Sequence, residues 1–157
     1  MPVADRKGAL PTKSTHPAPR KVRFTQTAPI GSARRNLSVA LSGRRAVHER
    51  SGKVLAEELE MPRTMFGRGV GLMFRRTLPA GRGMWIAPCN GIHMMFMNFP
   101  IDAVFLDSRE RVKKVYRRLP AWWGIVPLEW GAHSVLELPP DSTKDIDLQR
   151  GDQIVIQ

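Results

Sequence analysis

The sequence contains a single cysteine, Cys89, and a single tyrosine, Tyr116. It has no apolar run near the ~18 residues of a membrane span. One cysteine cannot close an intrachain disulfide, which excludes a disulfide-stapled secreted scaffold. The longest early apolar patch, LSVALSG at residues 37–43, is short for a signal-peptide core and is broken by serines. The Arg34-Arg35 pair before it makes a poor twin-arginine signal for the same reason. A cytoplasmic location is therefore expected. Acidic residues are scarce at the start: residues 1–50 hold Asp5 and Glu49 against 11 Lys or Arg, a net charge of +9. Residues 51–157 hold 14 basic and 12 acidic side chains, net +2. The overall +11 thus resides mainly in the N-terminal segment. No internal repeat is present.

That segment also carries Pro2, Pro11, Pro17, Pro19 and Pro29, many Ser and Thr, and no sustained hydrophobic period. Such a composition cannot bury enough apolar surface to offset chain entropy. A disordered basic arm is expected over residues 1–45, followed by a single β-rich domain over 46–157. AVHER and KVLAEELE flank Ser51-Gly52 and read as a hairpin. Pro62 suits the first turn of a helix continuing to Arg76 through Met65, Phe66, Val70, Met73 and Phe74, although Gly67, Gly69 and Gly71 weaken it. Asn90-Gly91 lies between GMWIAPC and IHMMFM, a strong hairpin signal because a type I′ turn needs positive φ at both central residues. AVFLD, VKKVYRR, SVLEL and QIVI read as further strands. DSTKDIDL resembles a helical turn capped by Asp141 or Ser142. Many short strands with few helices predict a mainly β or α+β fold, a small barrel-like domain with one or two short helices.

The segments GLMFRRTLPAGRGMWI, PCNGIHMMFMNFPIDAVFLD, VLELP and RGDQIVI form an ordered series. This series resembles the domain of unknown function 192 family of bacteria and archaea, over about residues 46–157. The resemblance implies a small β-rich domain with no established activity, and it supplies no catalytic residues to carry over. The Cys-x-x-Ile-His segment followed by Phe-Met-x-Phe-Pro-Ile-Asp is similar to one well-populated branch of that family; Met94 departs from the threonine expected in that branch, and Pro140-Asp141 from a small Ala-Gly pair.

Several side chains invite a chemical reading. Cys89 and His93 could pair as nucleophile and base, or supply part of a metal site. In the expected hairpin, Cys89 opposes Ile92 and Pro88 opposes His93, which sends the two side chains to opposite faces. A zinc site needs about four ligands, and the domain adds only His48 and His133, so no metal and no cofactor is expected. A buried, inert thiol and a hydrogen-bonded histidine is the favoured reading. Asp102 is either a general acid/base or, as favoured, a turn cap. Glu137 reads as a solvated outer-face residue, and Asp152 as a turn cap. The ligand-binding candidates are Trp85, His93 and Met95 on the hairpin, with Trp122, Trp123 and Trp130 on a Pro- and Gly-bearing loop.

Three functions follow, in order of preference. The first is non-catalytic binding of a small ligand or protein partner through the apolar hairpin and tryptophan loop. The second is an enzyme using His93 and Asp102, with Cys89 as a further candidate. The third is a nucleic-acid accessory role, in which the basic arm attracts phosphate without sequence specificity. A solvated tail, or residues upstream of the true start codon, competes with that last reading.

Overall fold

The computed structural model describes residues 39–41 and 43–157. In chain order the elements are β1 (Val39–Leu41), β2 (Ala46–His48), β3 (Val54–Ala56), β4 (Glu58–Pro62), α1 (Met65–Val70), β5 (Arg82–Ile86), β6 (Ile92–His93), β7 (Ile101–Leu106), β8 (Val112–Leu119), β9 (Ile125–Val126), β10 (Ser134–Leu138) and β11 (Ile154–Ile156). Of the expected basic arm, residues 39–41 and 43–45 are described: β1 pairs with β4, and Arg45 exchanges backbone hydrogen bonds with Gln157. The expectation of disorder up to residue 38 lies outside the described residues.

The fold is mainly β with one short helix, built on a six-stranded sheet in the order β1-β4-β5-β10-β7-β8. All of its pairings are antiparallel except β4–β5. Parallel neighbours need a crossover, which α1 and the chain around it supply. Two small sheets complete the described strands, β11-β2-β3 and β6-β9.

The expected barrel is not formed. The main sheet is open, and β1 and β8 are its two edges. Strands close into a barrel to remove edges and cover one face. Here separate layers cover both faces, and the β8 edge carries Lys113, Lys114, Arg117 and Arg118, charges that discourage further pairing.

The alternation of β10 shows how two cores arise. Leu136 and Leu138 join Val104, Leu106, Ala46, Leu55 and Ile154 in one cluster under the β11-β2-β3 sheet. Val135 joins Met84, Ala103, Phe105, Leu72, Met94 and Met97 in a second cluster on the opposite face. With both faces covered, all six residues of β7 are buried.

The hairpin expected around Ser51-Gly52 is present as β2–β3, with Gly52 at φ 67°. The helix is shorter than its pattern suggested. Pro62 ends β4 instead of opening the helix. The Thr64 side chain caps α1 by accepting from the Gly67 amide at 2.9 Å, and Gly71 at φ 44° ends it. A residue with no Cβ enters that backbone region at little cost, so the helix stops where the glycines accumulate. DSTKDIDL forms turns and no helix. Asp141 sits at φ 66° and its carboxylate pairs with Arg118 instead of capping. No helix among the described residues is long and apolar enough to cross a membrane.

Candidate functional site

The Asn90-Gly91 hairpin does not exist. β5 pairs with β4 and β10, while β6 pairs with β9, Ile92 opposite Val126 and His93 opposite Ile125. Pro88, two residues past the end of β5, has no N–H for a continuing ladder. Gly91 serves a different purpose from the expected turn. A Cβ there would lie 2.6 Å from the Pro127 carbonyl oxygen and 2.8 Å from that of Val126. Gly124 plays the same part on the facing loop, where a Cβ would lie 2.7 Å from the side chains of Leu119 and Met94. The Met94 amide donates to the Gly124 carbonyl at 2.8 Å, and the Trp122 amide to the Met94 carbonyl at 2.9 Å. The chain after Cys89 therefore docks on the tryptophan loop instead of folding back on β5.

This change brings Cys89 and His93 together. Both line a partly closed cavity of about 140 Å³ between α1, the segment Cys89–Met97 and β10. Arg68 and Glu137 line it too. Glu137 projects away from Leu136 and Leu138, as its position predicts, but onto the second core and not into solvent. It is 7% exposed. No hydrogen bond reaches its carboxyl from the described residues, and desolvation raises it to about 7 against an opposing pull from Arg75. Burial also pushes the Cys89 thiol up, and its Sγ donates to the Gly91 carbonyl at 3.1 Å. A thiol held in its protonated form is a weak nucleophile. No hydrogen bond joins Cys89 to His93.

Beside the cavity, and sharing His93 with it, lies an open apolar groove of about 470 Å³ lined by His93, Met95, Trp122, Trp123, Gly124 and Ile125. Its apolar walls face solvent: Trp123 is 88% exposed, Ile125 65% and Met95 51%. The aromatic surface continues past the groove. Trp122 meets Phe96 edge-on with centroids 5.5 Å apart, and Phe96 stacks on Phe74 at 5.4 Å. All three occupy left-handed backbone, at φ 67°, 62° and 62°. Bulky residues rarely adopt that region, and such strain costs on the order of 1 kcal/mol each. Burial returns only part of that cost, since Phe96 is 39% exposed, Trp122 50% and Phe74 66%.

The remaining sequence candidates lie elsewhere. Trp85, opposite Leu136, packs against the first core and does not reach the groove. Trp130 is exposed on a turn but does not line the groove. Asp102 is fully buried opposite Leu138, on the face away from Glu137. Its carboxylate accepts from the amides of Arg118 (2.9 Å), Asp141 (3.3 Å) and Thr143 (2.9 Å) and from Thr143 Oγ1 (2.7 Å). That saturates it as a buried loop clamp. The second function therefore loses Asp102, and Glu137 stands beside Cys89 and His93 instead. Alternation along SVLEL placed Glu137 on its own face, but nothing in the sequence shows that this face is covered.

One arrangement has the outline of a nucleophile relay. His48 Nδ1 lies 2.8 Å from Ser51 Oγ, and its Nε2 lies 2.9 Å from Asp152. His48 is buried, and none of the three groups lines the cavity or the groove described above. Asp152 also holds Arg50 and the Gln149 amide. Hydrogen bonding from Arg50 is the main reason its carboxyl falls to about 2. The network ties the β2–β3 turn to the approach to β11. Among the described residues no three His, Cys, Asp or Glu side chains are grouped to hold a metal ion.

Two solved structures share this fold. A protein of unknown function from Novosphingobium aromaticivorans DSM 12444 matches with a TM-score of 0.62 at 22% identity, over 74% of this chain and 84% of that one. A proposed transcription regulator from Sinorhizobium meliloti 1021 matches with a TM-score of 0.60 at 21% identity, over 72% and 91%. Identities this low speak for the fold alone. A UPF0127 protein of Thermococcus sibiricus is 31% identical over 113 residues, which is 69% of this chain and 71% of that protein. Residues 46–156 match the model of the family described as uncharacterized ACR, and the chain belongs to this domain of unknown function 192 (UPF0127) family.

Proposed function

We propose that this protein is a binding module for a small, planar, apolar ligand seated in the groove of His93, Met95, Trp122, Trp123 and Ile125. The observation that carries this reading is the open groove, of about 470 Å³, walled by side chains that a monomer would otherwise bury. Ligand sites of ~300–1,000 Å³ are mainly apolar with a few polar groups that fix orientation. Here His93 is the polar group, and tryptophan faces supply stacking surface. Binding is favoured over catalysis because the thiol at hand is not activated and Asp102 is committed to backbone donors. In this reading residues 46–157 act as one domain in the cytoplasm, where a lone thiol stays reduced.

The test is a titration with 1-anilinonaphthalene-8-sulfonate followed by dye fluorescence. The natural chain should bind with a micromolar Kd, and Trp123→Ala combined with Ile125→Ser should weaken binding by at least about tenfold, since each lost stacking contact is worth ~1–3 kcal/mol. Equal dye binding by both proteins would refute the groove as the site.

A further inference from the structure

We propose that the cavity between α1 and β10 is a second binding site, for a small monocarboxylate whose head group hydrogen-bonds to the Glu137 carboxyl and faces Arg68. This goes beyond the groove, with which the cavity shares only His93. Three observations carry it. Glu137 is more than nine-tenths buried, lines the cavity and receives no hydrogen bond from the described residues. Buried polar groups are almost always partnered, so a carboxyl left open toward a cavity marks where a ligand atom belongs. Second, the volume, about 140 Å³, is close to the ~150 Å³ of an apolar cavity that accommodates benzene. A molecule of about six heavy atoms therefore fits, and Ile86, Met94 and Met97 offer its apolar part a wall.

Third, the charge around the cavity selects the head group. An ammonium would satisfy Glu137 but would be repelled by Arg68 in the same lining; Arg75, which Glu60 holds in a bidentate pair at 2.9 and 2.7 Å, adds a weaker positive field at Glu137. A carboxylate is not repelled by Arg68 and hydrogen-bonds to Glu137, provided that Glu137 keeps its proton and donates it to the ligand oxygen. The two carboxyls then share one proton, as paired carboxyls in one site do. No bond is made or broken beyond this hydrogen bond. The titratable groups around Glu137 are Arg68 from α1, Arg75 together with the Glu60 carboxylate that pairs with it from β4, Cys89 and His93.

Binding then requires protonated Glu137, so affinity follows the protonated fraction. With the carboxyl near 7, affinity should fall about tenfold between pH 6 and pH 8.

The experiment titrates the full chain with butyrate, butyramide and butylamine, followed by NMR of the methionine methyls. Butyrate is expected to bind most tightly at pH 6, to weaken about tenfold at pH 8, and to perturb the Met94 and Met97 signals. In Glu137→Gln the amide donates at every pH, so butyrate binding should persist and lose its pH dependence. Trp123→Ala, which removes a wall of the groove, should leave butyrate binding unchanged and so separates this site from the groove. Tighter binding of butylamine than of butyrate would overturn the proposal. So would no binding of any of the three to the natural chain, which would leave the cavity to water. Loss of butyrate binding in Trp123→Ala but not in Glu137→Ala would also overturn it, by moving the site to the groove.

Discussion

Replacing Glu137 by glutamine should change how stability depends on pH. In the unfolded chain this carboxyl titrates near its ordinary 4.5; in the fold, desolvation holds it near 7. The sign follows from proton counting. Between these values the unfolded chain has released the proton and the native state still holds it, so stability falls as pH rises. The loss begins near pH 4.5 and is complete above about pH 7. At about 1.4 kcal/mol per unit, the gap of roughly 2.5 units corresponds to about 3 kcal/mol. Glu137→Gln cannot titrate and lacks this loss. Urea unfolding of both proteins at pH 4 and pH 8 isolates it, because every other titration is common to the two and cancels in the difference. The variant should gain about 3 kcal/mol on the natural chain between the two pH values, a relative midpoint shift of about 1–2 M urea. A difference in stability that stays constant with pH would show that Glu137 is already ionised and solvated in the fold.

Other perturbations address the elements that build the site. Gly91→Ala and Gly124→Ala each force a Cβ to within 2.6–2.8 Å of neighbouring atoms and should each cost about 1–3 kcal/mol by urea unfolding; no loss would mean that the loops are not closely apposed. Asp102→Ala strands four donors around a buried site and should cost at least about 3 kcal/mol, whereas a loss below ~1 kcal/mol would contradict the clamp. Cys89, its thiol pushed up by burial, should alkylate more slowly with iodoacetamide than glutathione does at pH 7.5. Alkylation as fast as glutathione would show an activated thiolate.

The parts of the fold that local rules govern were legible. The β2–β3 hairpin follows from Ser51-Gly52, and β7, β8, β10 and β11 follow from short apolar runs between turn residues. Asn90-Gly91 misled because the same glycine that permits a type I′ turn also permits close approach of another strand. Only the distance to Pro127 separates these uses. That one difference undid the expected register and set Cys89 and His93 along one cavity. Trp122, Trp123 and Met95 were each singled out in the sequence, but on two separate elements, a loop and a hairpin; that they line one groove is a tertiary fact. Trp130 has the same composition around it, and its position on a separate turn is a tertiary fact.

The sequence by itself determined the β2–β3 hairpin and strands β5, β7, β8, β10 and β11, the family, the concentration of positive charge before residue 51, and the alternation that sets Glu137 against Leu136 and Leu138. Tertiary structure alone decided what each face of the sheet meets. A carboxylate on an alternating strand is a solvated side chain if that face is open and a desolvated, proton-holding one if it is covered. Coverage here comes from α1 and from Met94 and Met97, brought over β10 by contacts distant in sequence. Burial is a property of those long-range contacts, and a local pattern carries no record of them.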